Sequence, residues 1–337
     1  MPSLSATASD ILVRVENLSV TLASSIRAVQ GVDFEIGRGE CVALVGESGC
    51  GKTLTALSLL RSLPPGVEKI DCARMELEGR RIDLMNPSDL RRLRGAEIAI
   101  VFQDPTTSFN PLFKIGDQLV ETIRAHRKLS RQAAAELAMC CLSDAGLEEA
   151  GRVFASYPHQ LSGGQRQRAF IAMALSTEPK LLIADEPTTA LDVTVQRQIL
   201  DLLARLATER GLSLLLITHN LAIVARLADR VLMMYAGQIV ERATAGELFS
   251  SPAHPYTRAL LDCLPSLDRV RSRPPTIPGN VPQPGNWPDG CRFADRCASK
   301  ADGCESPQRL EAYGESGRMV RCHLAGEPAK RTGGKND

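Results

Sequence analysis

The chemistry-bearing residues of this 337-residue chain fall into four groups, and the first is Gly46-Glu-Ser-Gly-Cys-Gly-Lys-Thr53. Its glycines let the backbone wrap so that successive N–H groups point at phosphate oxygens. Lys52 can then reach the terminal phosphates, and the Thr53 hydroxyl can hold Mg²⁺. Gly46, Ser48, Gly49, Cys50, Gly51, Lys52 and Thr53 are therefore candidate nucleotide-binding residues. The second group, Asp185-Glu186, ends the apolar run Leu181-Leu-Ile-Ala. Two carboxylates at the end of such a strand are costly unless a cation sits there. Asp185 suits the Mg²⁺ shell, and Glu186 can polarise an attacking water.

The third group is Leu161-Ser162-Gly163-Gly164-Gln165, at the entry to a helical run that carries Arg166 and Arg168. Ser162 suits an N-cap, and two glycines leave bare backbone N–H groups where the helix dipole favours an anion. The fourth is Cys291, Cys297, Cys304 and Cys322, four of the ten cysteines within 32 residues. Disulfides are disfavoured in a reducing cytosol, and structural cysteines do not normally cluster in a loop-rich, Gly/Pro-bounded segment. A bound metal explains the clustering better. Four thiolates suit Zn²⁺ or a [4Fe–4S] cluster, with His323 as a possible substitute ligand.

Something must position these groups. Cys41 to Val45 is continuously apolar, as in a strand buried on both faces, and it stops at Gly46 before a helical pattern from Lys52 to Leu60. Further buried strands are expected at Ile98 to Phe102, Leu181 to Ala184, Leu214 to Thr218 and Val231 to Met234, with helical patterns between most of them. Such alternation predicts an α/β domain with a largely parallel sheet. Alternating residues from Ile11 to Val20 and Val32 to Ile36 predict antiparallel strands ahead of it. Between Phe109 and Ser176 the pattern is mostly helical, with Arg131 to Ala145 and Gln165 to Leu175 as the clearest runs. Gly237 reads as a hairpin turn.

Six prolines between Pro274 and Pro288 mark a linker, and 325–337 reads as a disordered tail. The 44% hydrophobic content can fill a real core. Forty Lys+Arg against 39 Asp+Glu give no electrostatic reason to expect a nucleic-acid partner. The start has neither a basic nor an apolar signal region, and no apolar run approaches membrane length, so the chain is expected to be neither secreted nor membrane-spanning.

Taken in order, the phosphate loop, Gln103, Leu161 to Gln165, Asp185-Glu186, Ala190-Leu-Asp192 and His219 resemble the motifs of the nucleotide-binding subunits of ABC transporters, over residues ~11 to ~250. The resemblance implies a P-loop (RecA-like) α/β nucleotide-binding domain over 1–270. It would include an antiparallel β-subdomain and a helical subdomain at about 105–177, with a small Cys-rich extension after the linker, 271–324. It implies ATP as substrate and Mg²⁺ near Thr53, Gln103 and Asp185. Glu186 would be the general base, His219 the switch histidine, and Lys52 a phosphate-binding catalytic residue. In that family each ATP is sandwiched between the phosphate loop of one subunit and the Ser162-Gly163-Gly164-Gln165 type of loop of the other. Asp192 would help couple the two sites. Where the family usually has an aromatic on adenine, the resemblance puts Leu22, which loses a stacking component of ~1 kcal/mol.

A second, narrower resemblance joins His254-Pro-Tyr-Thr257, the Pro-rich linker and Gly290-Cys-Arg-Phe-x-x-Arg-Cys297 to the extension of dipeptide and oligopeptide importer ATPases. It implies an iron–sulfur cluster on Cys291, Cys297, Cys304 and Cys322, with Zn²⁺ as the alternative. The implied partners are a second, related ATPase subunit, two membrane permeases and an extracytoplasmic solute-binding protein, at the cytoplasmic face of the membrane. The other readings are an importer ATPase for nickel or another solute, and a soluble ABC ATPase without a membrane partner.

Overall fold

The computed structural model describes residues 10–103, 108–188, 191–264, 276–314 and 316–325. Strands β1 (Ile11–Leu22) and β2 (Ile26–Gly37) form a long antiparallel hairpin. With β4 (Val67–Asp71), β5 (Arg74–Leu77) and β6 (Arg80–Arg81) they make a five-stranded antiparallel sheet. Val13, Val15, Leu18 and Val20 are buried, while the register slips around Asn17, a residue at φ 52°. A bulge there keeps the apolar set facing inward on both sides of the irregularity.

The second sheet has eight strands, and five neighbours in it run parallel in the order β10 (Arg230–Tyr235), β3 (Cys41–Val45), β9 (Ser213–Thr218), β8 (Leu181–Asp185) and β7 (Ile98–Val101). Every residue of β3, β8 and β9 is buried, which is why these strands read as unbroken apolar runs. One face packs against the antiparallel sheet and helix α1 (Lys52–Leu59) through Phe34, Leu44, Leu59, Ile183 and Leu215. The other face meets the helical part through Leu119, Phe170, Leu182, Leu203 and Leu216.

Past the short α2 (Pro87–Leu93), that helical part comprises α3 (Ile115–His126), α4 (Arg131–Asp144), α5 (Ala150–Ala155) and α6 (Gly163–Leu175). After it, α7 (Val193–Arg210) and α8 (Leu221–Leu227) alternate with the remaining parallel strands. Tyr235 pairs with Gln238 across Ala236 (φ 43°) and Gly237 (φ 80°). Two successive positive φ values define the tight turn that turns β10 back into β11 (Gln238–Thr244). Helices α9 (Ala245–Ser250) and α10 (Pro255–Asp262) follow.

The Cys-rich segment does not hang free of this sheet. Its strands β12 (Glu311–Ala312) and β13 (Met319–Val320) continue it, with β13 antiparallel to β11 through Glu241↔Val320 and Arg242↔Met319. Arg318, nearly buried, donates from Nε to the fully buried Glu241 carboxylate at 3.1 Å. Phe293 inserts among Tyr235, Tyr256 and Val45 in a third core. Part of the expected linker (271–275) and nearly all of the expected disordered tail (326–337) lie outside the described residues. No described helix is long and apolar enough to cross a membrane.

Candidate functional site

The phosphate loop leaves β3 at the end of the parallel sheet and enters α1. A Cβ on Gly46 would lie 2.1 Å from the Met234 carbonyl oxygen, so only a hydrogen fits where the loop crosses β10. Gly51 caps α1 at φ 104°, and no side chain caps the first turn. The amides at this helix start are thus left for an anion, where the macrodipole already favours negative charge. Ser48 and Gly49 form the outer rim of the loop, and Cys50 is buried beneath it. Lys52 is only 6% exposed, and its Nζ donates to the carbonyls of Gly46 at 2.8 Å and Glu47 at 2.9 Å.

Thr53 Oγ1 donates to Asp185 Oδ2 at 2.8 Å, joining the loop to the end of β8. Burial raises the Asp185 carboxyl above its ordinary range; the Thr53 hydrogen bond opposes the rise, the Glu186 charge adds to it and the Lys52 charge lowers it. Glu186 follows at φ 45°, a left-handed conformation for a non-glycine residue, with its N–H donating to the Ile217 carbonyl at 2.9 Å. Its Oε1 lies 2.9 Å from His219 Nδ1, just past the end of β9. A buried ammonium, a desolvated carboxylate beside a hydroxyl, and an uncapped helix start are the donor set that Mg²⁺ and nucleotide phosphates require, so these residues fit both.

The structure therefore gathers Lys52, Thr53, Asp185, Glu186 and His219 at one end of adjacent strands. It keeps the second glycine turn apart. Ser162 Oγ accepts from Gln165 N–H at 3.3 Å while Gln165 Oε1 accepts from Ser162 N–H at 3.1 Å, a reciprocal cap on α6. Among the described residues, Ser162, Gly163, Gly164 and Gln165 make no hydrogen bond to the phosphate loop. Their neighbours are at the start of α7: a Cβ on Gly163 would meet Leu191 at 3.4 Å and one on Gly164 would meet Val195 at 2.7 Å. Asp192 caps α7, accepting from Val195 N–H at 2.9 Å. Leu22 ends β1, half-buried and paired with Ile26 and Val67. Gln103 lies exposed just past β7, and Ala190 of the Ala190-Leu-Asp192 motif falls outside the described residues.

The four expected cluster ligands lie in the extension, in one neighbourhood. Among the described residues no group of three or more His, Cys, Asp or Glu side chains is placed to hold a metal ion. Cys291, Cys297, Cys304 and Cys322 are nonetheless neighbours, since Cys291 N–H donates to the Cys304 carbonyl at 2.8 Å and the thiols act electrostatically on one another. Burial comes first in raising Cys291 and Cys297 and in pushing Cys322 up to about 11, with the neighbouring thiols adding to each rise. The clustering in sequence corresponds to a compact segment that brings the four cysteines into one neighbourhood.

Sequence reasoning also passed over Glu47, Tyr256 and Arg296. Arg296 Nη1 reaches the Glu47 carboxylate at 3.0 and 3.1 Å, and Glu47 N–H donates to the Tyr256 hydroxyl at 3.0 Å. All three stand inside quoted strings, the phosphate loop, His254-Pro-Tyr-Thr257 and Cys-Arg-Phe-x-x-Arg-Cys, but nothing in those strings joins them.

An α/β core with this loop, this carboxylate pair and a separate glycine turn defines an ABC-type nucleotide-binding domain. Residues 29–189 match the ABC transporter family, and residues 240–304 match the oligopeptide/dipeptide transporter C-terminal region. The oligopeptide transport ATP-binding protein AppD of Bacillus subtilis is 46% identical over 299 residues, covering 89% of this chain and 91% of AppD. The dipeptide transport ATP-binding protein DppD of the same organism is 41% identical over 322 residues, covering 95% of this chain and 96% of DppD. Among solved structures, the dimeric structure of MJ0796, a bacterial ABC transporter cassette, superposes with a TM-score of 0.59 at 29% identity, over 69% of this chain and 99% of that one. The chain belongs to the ABC transporter ATP-binding proteins, in the branch that carries the oligopeptide/dipeptide C-terminal region.

Proposed function

We propose that this chain is the ATP-hydrolysing subunit that powers import of di- or oligopeptides across a membrane. The observation that carries the enzymatic part is the joined set Thr53–Asp185 and Glu186–His219 beside an uncapped helix start. The peptide assignment is supported by the match of residues 240–304 and by what AppD and DppD are named for.

Lys52 and the Gly49 to Thr53 amides would bind the phosphates, and Thr53, Asp185 and Gln103 would hold Mg²⁺. Bound there, Mg²⁺ would offset the charge that develops on the phosphate oxygens. Glu186 accepts the proton of the attacking water, and His219, held on Glu186, meets the terminal phosphate. Leu22 covers one face of the base without stacking.

Ser162, Gly163, Gly164 and Gln165 serve the nucleotide bound by a second subunit, and Asp192 couples the two sites. Support for the pairing is the separation of the two loops within one chain and the dimeric form of MJ0796. The division is 1–270 for the ATPase, 271–324 for linker and extension, and 325–337 for the tail. The partners are a related ATPase subunit, two permease subunits and, through them, a solute-binding protein, at the cytoplasmic face of the membrane.

A [4Fe–4S] cluster, or Zn²⁺, on the four cysteines is supported by their mutual proximity and opposed by the lack of a three-ligand group among the described residues. Anaerobic purification decides it. A brown protein bleached by Cys297→Ser upholds the cluster, stoichiometric zinc in a colourless protein replaces it, and absence of both removes the metal. The import function is tested by affinity purification from cells: multi-span permeases and a solute receptor should co-purify, whereas ribosomes or DNA would contradict it.

A further inference from the structure

The phosphate loop is gripped from the Cys-rich extension. Glu47, its second residue, has every polar group engaged: N–H to the Tyr256 hydroxyl at 3.0 Å, carbonyl to Lys52 Nζ at 2.9 Å, carboxylate to Arg296 Nη1 at 3.0 and 3.1 Å. Arg296 lies 249 positions further along the chain. Its side chain is 7% exposed, against 27% for Glu47, so the pair is shielded mainly on the arginine side.

The guanidinium is fixed independently of Glu47. Arg296 Nε donates to the Pro278 carbonyl at 2.8 Å, Nη1 lies 3.3 Å from the Tyr235 hydroxyl, and the group sits 5.7 Å from the centre of the Tyr235 ring. The rings of Tyr235, Tyr256 and Phe293 pack at 4.7 to 5.3 Å, which locks β10, α10 and the extension together beneath the loop. Four residues earlier, Arg292 stacks on Trp287 at 3.5 Å and bonds the Ala236 carbonyl and Gln30. An ion pair held this firmly does more than decorate a surface.

Charge decides its meaning. Glu47 sits between Gly46 and the glycine-rich turn, with its carbonyl on the very ammonium that would meet phosphate. An unpaired carboxylate there would repel a polyanion across a partly desolvated gap, where Coulomb terms are stronger than in water. We propose that Arg296 is a positioning residue for ATP: it neutralises Glu47 and so sets the affinity of the phosphate loop, making nucleotide binding depend on the docked extension. This inference rests on the reading of that loop as the ATP site and adds to it a dependence on a distant segment.

The test uses the full-length chain and Mg-ATP, with affinity from titration calorimetry and kcat and KM from phosphate release. Arg296→Gln, which keeps a donor but removes the charge, should weaken ATP binding about tenfold and raise KM in step, with kcat within about twofold. Glu47→Gln added to it should bring affinity back to within about threefold of wild type, because the charge that Arg296 masks is gone. A purely structural role would give no such rescue. Glu47→Gln alone removes the masked charge and should match or tighten wild-type affinity, so a loss of affinity in it counts against the proposal even if Arg296→Gln does not fold. Wild-type affinity in Arg296→Gln, a loss that Glu47→Gln deepens, or a tenfold loss in Glu47→Gln alone would each overturn the proposal. Failure of the wild-type chain to bind ATP would instead strike the proposed function itself.

Discussion

His219 Nδ1 lies 2.9 Å from Glu186 Oε1, with the imidazole 59% exposed and the carboxylate 14% exposed. The buried partner is fixed by its backbone bond to Ile217, while the exposed one stays open toward the cleft. That asymmetry suits a base held in place and a histidine that reads the terminal phosphate.

Glu186→Gln should bind ATP near wild-type affinity yet hydrolyse it at least about 10²-fold more slowly, because the proton acceptor is lost while the phosphate cradle stays. Single-turnover phosphate release measures this, and wild-type turnover would remove Glu186 as the base.

His219→Ala should lower kcat by about 10²-fold with little change in KM, if the imidazole acts on the transition state rather than on bound ATP. Steady-state kinetics separate the two. A rise in KM alone would make His219 a ground-state contact.

Thr53→Ala removes the hydroxyl that bonds Asp185 Oδ2 at 2.8 Å. The Mg²⁺ concentration needed for half-maximal hydrolysis should rise about tenfold or more. An unchanged Mg²⁺ requirement would place the metal elsewhere.

His254 is fully buried, its Nδ1 accepts from Tyr256 N–H at 3.0 Å, and burial lowers its pKa from 6.5 to about 4. Between those values the unfolded chain takes up a proton that the folded chain does not, so stability falls as pH falls through that window and levels off below it. The loss reaches about 3 kcal/mol at most. His254→Asn keeps a capping acceptor and cannot titrate, so its denaturant midpoints from pH 7 to 4 should lack this component; an identical pH slope would show that His254 does not carry it.

Arg318→Leu strands the Glu241 carboxylate, which is fully buried and also accepts from Ala253 N–H at 3.0 Å and His254 N–H at 2.9 Å. Loss of the cation should destabilise the fold by about 3–5 kcal/mol in chemical denaturation. A change under about 1 kcal/mol would mean that the extension is not anchored through this pair.

The parallel strands were legible because β3, β8 and β9 are buried on both faces and therefore unbroken in apolar character. The loop after β3 was legible because phosphate chemistry needs glycine, lysine and threonine in one short run. Contacts between distant segments were not. Nothing in the spacing ties Glu47 to Arg296, since an ion pair across 249 positions leaves no periodic trace. Asp192 shows a different limit: its carboxylate caps α7, a local role that any Asp at a helix start can fill, alongside the coupling role its motif implies. The cysteines mark a third, because their spacing shows where thiols cluster and is the same for Zn²⁺ and for an iron–sulfur cluster.

The most direct test of the account is phosphate release from Mg-ATP by the purified chain assembled with its partner ATPase subunit and permeases in lipid. The account predicts steady hydrolysis that is stimulated when a peptide-loaded receptor is added and abolished by Glu186→Gln in this chain. An assembled complex that releases no phosphate above the Glu186→Gln background would contradict it.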